Sequence, residues 1–171
     1  MRLVQVSRLV IIAAAAGVAL IGVYSIYVAT SGPGPVTTAV PSSFTVNGRT
    51  YSFTYTATNQ AQWREGLMNK AVTNTTTMLF AFPYFSPWQF WMFDTPTSLD
   101  MIWVNATGSS GRVVYLVSSA PPCLTSDSNT CARYTPTAQA NYVIEAKAGF
   151  AAANNIAVGS NIRFGWNNST K

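Results

Sequence analysis

Residues 9–29 carry no charged side chain, and this run limits the architectures open to the chain more than any other feature. About twenty helical residues rising 1.5 Å each give roughly 30 Å, the thickness of a bilayer core. Arg2 and Arg8 precede the run and the next charge is Arg49. The positive-inside bias therefore predicts a cytoplasmic N-terminus over residues 1–8, one transmembrane helix over 9–30 and everything beyond on the outer side. Tyr24 and Tyr27 fall near the outer interface. A cleaved secretory signal, with Val28-Ala29-Thr30 as its weak processing site, is the competing reading. Its apolar stretch is usually about 7–15 residues, so a retained anchor fits better. No cysteine lies in or just after the run, which removes a lipid anchor. The expected location is the cell membrane, single-pass, with lipid as one partner of the helix.

Beyond the run, eight Lys and Arg face five acids, Glu65, Asp94, Asp100, Asp127 and Glu145. The surplus of about +3 is scattered along the chain, which argues against nucleic acid as a partner. Asn74, Asn105, Asn167 and Asn168 each open an Asn-x-Ser/Thr sequon on the side expected to be outside, and are candidates for glycosylation. Cys123 and Cys131 are the only cysteines. In a loop rich in Pro, Ser, Asp and Asn outside the cytoplasm they most simply form a disulfide. The rival, a thiolate metal site, lacks ligands, because the chain has no histidine and two thiolates leave a tetrahedral ion half coordinated. The absence of histidine also predicts a stability nearly flat between about pH 5 and 8.

Residues 31–42, with Gly32, Pro33, Gly34, Pro35 and Pro41, read as a linker. The domain proper spans 43–166, with a tail at 167–171. Asn47-Gly48 between residues 44–46 and the alternating Tyr51, Phe53 and Tyr55 signals a hairpin with a type I′ turn, its second strand running over 49–56. Thr58 or Asn59 can cap a short helix over residues 60–68, with Trp63 and Leu67 on one face. Residues 78–82, 89–93, 100–105, 112–118, 142–146 and 161–166 read as short strands, and 149–155 as one further helical turn. The expected fold is all-β, a compact sandwich or barrel with one short helix.

Arg64, Gly66-Leu67-Met68, Met78-Leu79-Phe80, Phe90-Trp91-Met92, Thr95 and Leu99-Asp100 follow one another within about forty residues. Val113-Val114-Tyr115, Pro122-Cys123, Cys131, Tyr134, Ala140 to Glu145 and Gly149 continue the series. In this order the chain resembles the family called domain of unknown function 192. The resemblance covers nearly all of residues 44–164 and implies a compact, mostly β, extracytoplasmic domain; it brings no substrate or cofactor with it. The chain departs from the family pattern at Thr77, where a Gly is usual, at Phe93-Asp94, at Ser98 before Leu99-Asp100 and at Ser160.

General acid–base chemistry without histidine would fall to carboxylates, Lys70, Lys147 or a tyrosine. Asp94 and Asp100 flank a turn and form the one candidate pair for glycoside hydrolysis, but a carboxylate before a strand more often fixes its turn by accepting backbone N–H bonds. Met68, Met78, Met92 and Met101 are soft donors suited to Cu(I) and equally ordinary core filler. Tyr84, Phe85, Trp88, Phe90, Trp91 and Trp103 could line a groove for a sugar or apolar ligand, or fill the core. Ala13 and Gly17 present small residues at a spacing that lets a second helix approach. With no coherent catalytic set and no cofactor indicated, the expectation is a non-catalytic, membrane-anchored accessory or interaction subunit of a cell-envelope or membrane complex, partnered by another integral membrane protein. A module binding sugar or Cu(I), and a pilin-like filament subunit, are the alternatives.

Overall fold

A computed structural model of the chain describes residues 40–167. The expected membrane helix with Ala13 and Gly17, the linker up to residue 39, Asn168 and the rest of the tail lie outside the described residues. Among the described residues no helix is long and apolar enough to cross a membrane.

Strands β1 (Ser43–Val46) and β2 (Arg49–Ser52) form the expected hairpin. Asn47 and Gly48 both take positive φ, 49° and 78°, as a type I′ turn requires. The alternating run then divides. At Phe53-Thr54 the chain leaves β2, and β3 (Tyr55–Ala57) pairs in parallel with β4 (Thr77–Ser86) instead of prolonging the hairpin. With β5 (Leu99–Thr107), β6 (Ser110–Ala120), β7 (Ala140–Lys147) and β8 (Asn161–Gly165), these strands make one sheet in the order β2-β1-β8-β6-β5-β7-β4-β3.

The two ends of that order are joined by two residues. Three Cα steps carry the chain at most roughly 11 Å from Ser52 to Tyr55, so the opposite edges of the eight-stranded order must lie close together. The sheet is therefore curled into a half-barrel. Phe53 N–H bonds to Ser42 O at 2.9 Å and Thr54 N–H to Thr77 O at 2.8 Å, stitching this crossing to both sides. Of the expected sandwich or barrel the chain forms one curled sheet, and beside the short helix α1 (Gln60–Glu65) the expected further turn is a second short helix, α2 (Phe150–Ala153).

Period-two alternation sends the central strands' side chains to both faces. Leu79, Ile102 and Ile144 join Phe44, Val113, Ile162 and Phe164 in the concave core, where α2 contributes Ala151. Met78, Phe80, Met101, Trp103 and Val143 point the other way and are buried with Leu67, Phe90 and Met92. This second cluster is covered by irregular chain rather than by another sheet. Residues 89–93, expected as a strand, make only two isolated bridges, Phe90 with Tyr134 and Phe93 with Cys123.

Candidate functional site

The covering layer on the convex face starts at α1. Asn59 caps it, its side chain accepting from Gln62 N–H at 3.1 Å. The helix stops at Gly66, short of the expected Met68, because Gly66 takes φ 49° and ψ −130°, a region open essentially to glycine. A Cβ at Gly66 would also meet the Phe80 ring at 3.3 Å. Trp63 is pinned from this helix, its indole N–H donating to Ala57 O at 3.1 Å and Ala81 O at 3.2 Å.

The chain after β4 returns across the same face. Trp88 stacks on Phe82 with ring centroids 4.0 Å apart and lies 6.0 Å from Trp63. The buried Trp103 donates its indole N–H to Trp88 O at 2.9 Å, fixing the loop from below. A third segment, closed by the Cys123–Cys131 disulfide, brings Arg133 over Trp91 at 3.9 Å from the ring centroid. Trp63, Phe82, Trp88 and Trp91 thus wall a cleft of about 470 Å³ whose charged lining residues are Arg64 and Arg133. Its lining includes no acidic side chain. That size, with aromatic walls and few polar groups, is typical of small-molecule sites.

Behind the cleft wall lies a cavity of about 20 Å³ bounded by Arg64, Phe80, Trp91, Phe93, Thr95 and Glu145. Trp63, Arg64, Phe90 and Trp91 line both spaces. Glu145 is 4% exposed, and no described residue hydrogen-bonds its carboxyl. Across the sheet its neighbours are Met78 on β4 and Met101 on β5. Burial among these apolar groups pushes the Glu145 carboxyl up from 4.5 to about 8, since a charged form would lose its hydration.

Of the positions singled out by the resemblance, Arg64, Gly66, Leu67, Met68, Trp91, Thr95 and Glu145 line this one cavity. Met92 is buried beside it, its carbonyl accepting from Thr95 N–H and Cys123 N–H. Asp100 is elsewhere. It is 1% exposed on the concave side, its two oxygens accepting from Ser119 N–H and Ala151 N–H at 2.8 Å each. The carboxylate therefore ties α2 and the end of β6 to β5, over 19 and 51 residues of sequence, instead of fixing its own turn. Asp94 stands in a left-handed turn, φ 51°, its backbone bonded to Asn69 and Cys123. Neither aspartate lines the cleft or its cavity.

Met78, Met92 and Met101 lie in the buried convex cluster and Met68 is half-buried at the cavity. Tyr84 and Phe85 are exposed, at 60% and 44%. Among the sequons, Asn74 is exposed, Asn105 donates its amide to Gln139 O at 3.1 Å, and Asn167 accepts from the Ser42 hydroxyl at 2.9 Å. Nothing in the local sequence marks Arg133, or Trp63 as a pocket wall. Arg133 sits 42 residues from Trp91, so no local pattern links them; Glu145, a single acid inside the apolar strand Val143-Ile144-Glu145-Ala146, was the signal available.

Fold and site together define a small curled-sheet β domain with a ligand-sized aromatic cleft on its convex face. The chain belongs to the DUF192 family, described as "Uncharacterized ACR", whose model matches residues 43–164. A search of curated proteins finds no match. Two solved structures share the fold. One, a proposed transcription regulator from Sinorhizobium meliloti 1021, is 24% identical with a TM-score of 0.59, over 71% of this chain and 90% of that one. The other, a protein of unknown function from Novosphingobium aromaticivorans DSM 12444, is 24% identical with a TM-score of 0.57, over 75% and 89%.

Proposed function

We propose that this domain is a non-catalytic binding module that holds a small, ring-bearing anion in the cleft. The observation that carries this reading is a set of four fixed aromatic walls whose charged companions are Arg64 and Arg133. Flat rings stack on indole faces, and guanidinium groups recognise oxyanions by paired N–H donors. Sugar acids and aromatic acids share this chemistry. The test is calorimetric titration with glucuronate and benzoate, set beside glucose and benzyl alcohol as neutral counterparts. The acids should bind and the neutral compounds should bind at least tenfold more weakly, with Arg133→Ala narrowing the gap. Equal binding of charged and neutral rings, or none, sinks the proposal, and preference between the two acids tells the sources apart.

The charge-free run at residues 9–29 supports placing this module on the outer side of the cell membrane, as an accessory subunit beside another integral membrane protein. In mild detergent it should co-migrate with such a partner. Gly17→Leu should weaken that association, because bulk at a close helix contact removes packing. Migration as a lone monomer from native membranes counts against the subunit role and leaves the cleft proposal standing.

A further inference from the structure

The cavity beside the cleft holds the Glu145 carboxyl, whose oxygens make no hydrogen bond to a described residue and are not sealed from solvent. Buried polar groups are almost always hydrogen-bonded, and here a Met would match the flanking Met78 and Met101. A space of about 20 Å³ admits one water or one ligand oxygen and nothing larger. Arg64 borders both the cavity and the cleft, and Glu145 borders the cavity.

We propose that the site selects carboxylates by sharing a proton: the ligand carboxylate lies against Arg64, one of its oxygens enters the cavity, and the Glu145 carboxyl donates its O–H to it. This rests on the cleft being the binding site. No covalent bond changes; the proton stays on Glu145 and is shared in a charge-assisted hydrogen bond. The residues that share the cavity with Glu145 include Arg64 and Glu65 from α1, Phe80 from β4, and Trp91, Phe93 and Thr95 from the covering loop, and its register neighbours are Met78 on β4 and Met101 on β5. Glu65 is paired with Lys70. Burial holds the proton on Glu145 up to about pH 8, whereas an ionised Glu145 would face the ligand with like charge.

The experiment is titration of the full chain in detergent with benzoate and glucuronate from pH 6 to 9.5. Affinity should be level to about pH 8 and then fall about tenfold per pH unit, the signature of one required proton. Glu145→Gln keeps an N–H donor and should bind with that fall abolished. Glu145→Met fills the cavity with an apolar group and should lose binding at least tenfold while the chain stays folded by circular dichroism. Binding that is level to pH 9.5 in the wild type, or unaffected by Glu145→Met, overturns the shared proton and leaves the cleft in place. If neither acid binds the wild type at any pH, the cleft reading falls and this inference with it.

Discussion

Raising the pH from 5 to 8 should destabilise the folded domain by about 3 kcal/mol, although the chain contains no histidine to titrate in that range. Glu145 is the cause. Unfolded, its carboxyl ionises near 4.5; folded, it holds its proton to about 8. Between those values the native state binds one proton more than the unfolded state, so stability falls with pH by about 1.4 kcal/mol per unit. The stabilisation is complete below the unfolded value and is lost progressively as pH rises toward the folded one. Part of the first half-unit above 4.5 and the last before 8 is muted, which leaves about 3 kcal/mol between pH 5 and 8. For a domain of this size that corresponds to a melting temperature lower by roughly 10 °C. Urea unfolding followed by tryptophan fluorescence at pH 5, 6, 7 and 8 measures it, and Glu145→Gln should flatten the curve. A wild-type stability that is level across the window would refute the burial argument, and would restore the expectation drawn from the missing histidine.

Asp100→Ala should cost about 2–4 kcal/mol in urea unfolding, because the buried Ala151 N–H and the part-buried Ser119 N–H lose their acceptor. Asp100→Asn should cost at least about 2 kcal/mol, since its NH2 would face one of those donors; an Asn variant within 0.5 kcal/mol of wild type, a band on the order of an ordinary surface change, contradicts the two-acceptor geometry. Cys123 and Cys131 should resist alkylation until reduced, and their removal should lower stability by roughly 2–3 kcal/mol, with intact mass the deciding readout: two alkylated thiols before reduction would rule the bond out. Gly111→Ala should destabilise by about 1–3 kcal/mol through overpacking, since its Cβ would stand 2.6 Å from Val104 Cγ1 and 3.0 Å from Ala106 Cβ; a neutral melting temperature would show that the strands yield.

The local signals carried most of the elements. Asn47-Gly48 marked the hairpin because only a positive-φ pair closes it, and Asn59 marked the start of α1 because its side chain satisfies a free helix N–H. What failed was partnership. Tyr51, Phe53 and Tyr55 alternate regularly, yet alternation reports that a segment is extended and not which strand lies beside it; β2 and β3 therefore read as one strand while belonging to opposite edges. Residues 89–93 are an apolar, ring-rich run that reads like a strand, but Phe90 serves as cover for Phe80 and Trp103. The same limit hid the site. Arg64, Trp91 and Glu145 stood out singly, and Arg133 joins them only because the Phe90–Tyr134 and Phe93–Cys123 bridges fold a distant loop onto the cleft.

The position of β8 sets the order of events when the chain is made. Residues 161–165 slot between β1 and β6, so the strand synthesised last of the eight occupies the middle of one half of the sheet. Until it emerges, β1 and β6 each expose an unpaired edge and the concave core lacks Ile162 and Phe164. Contacts of such long sequence separation form late and slowly, and exposed edges are where chains stick to one another. A nascent chain of this design completes its sheet only when residues 161–165 have been delivered, and until then the domain depends on being kept apart from its neighbours.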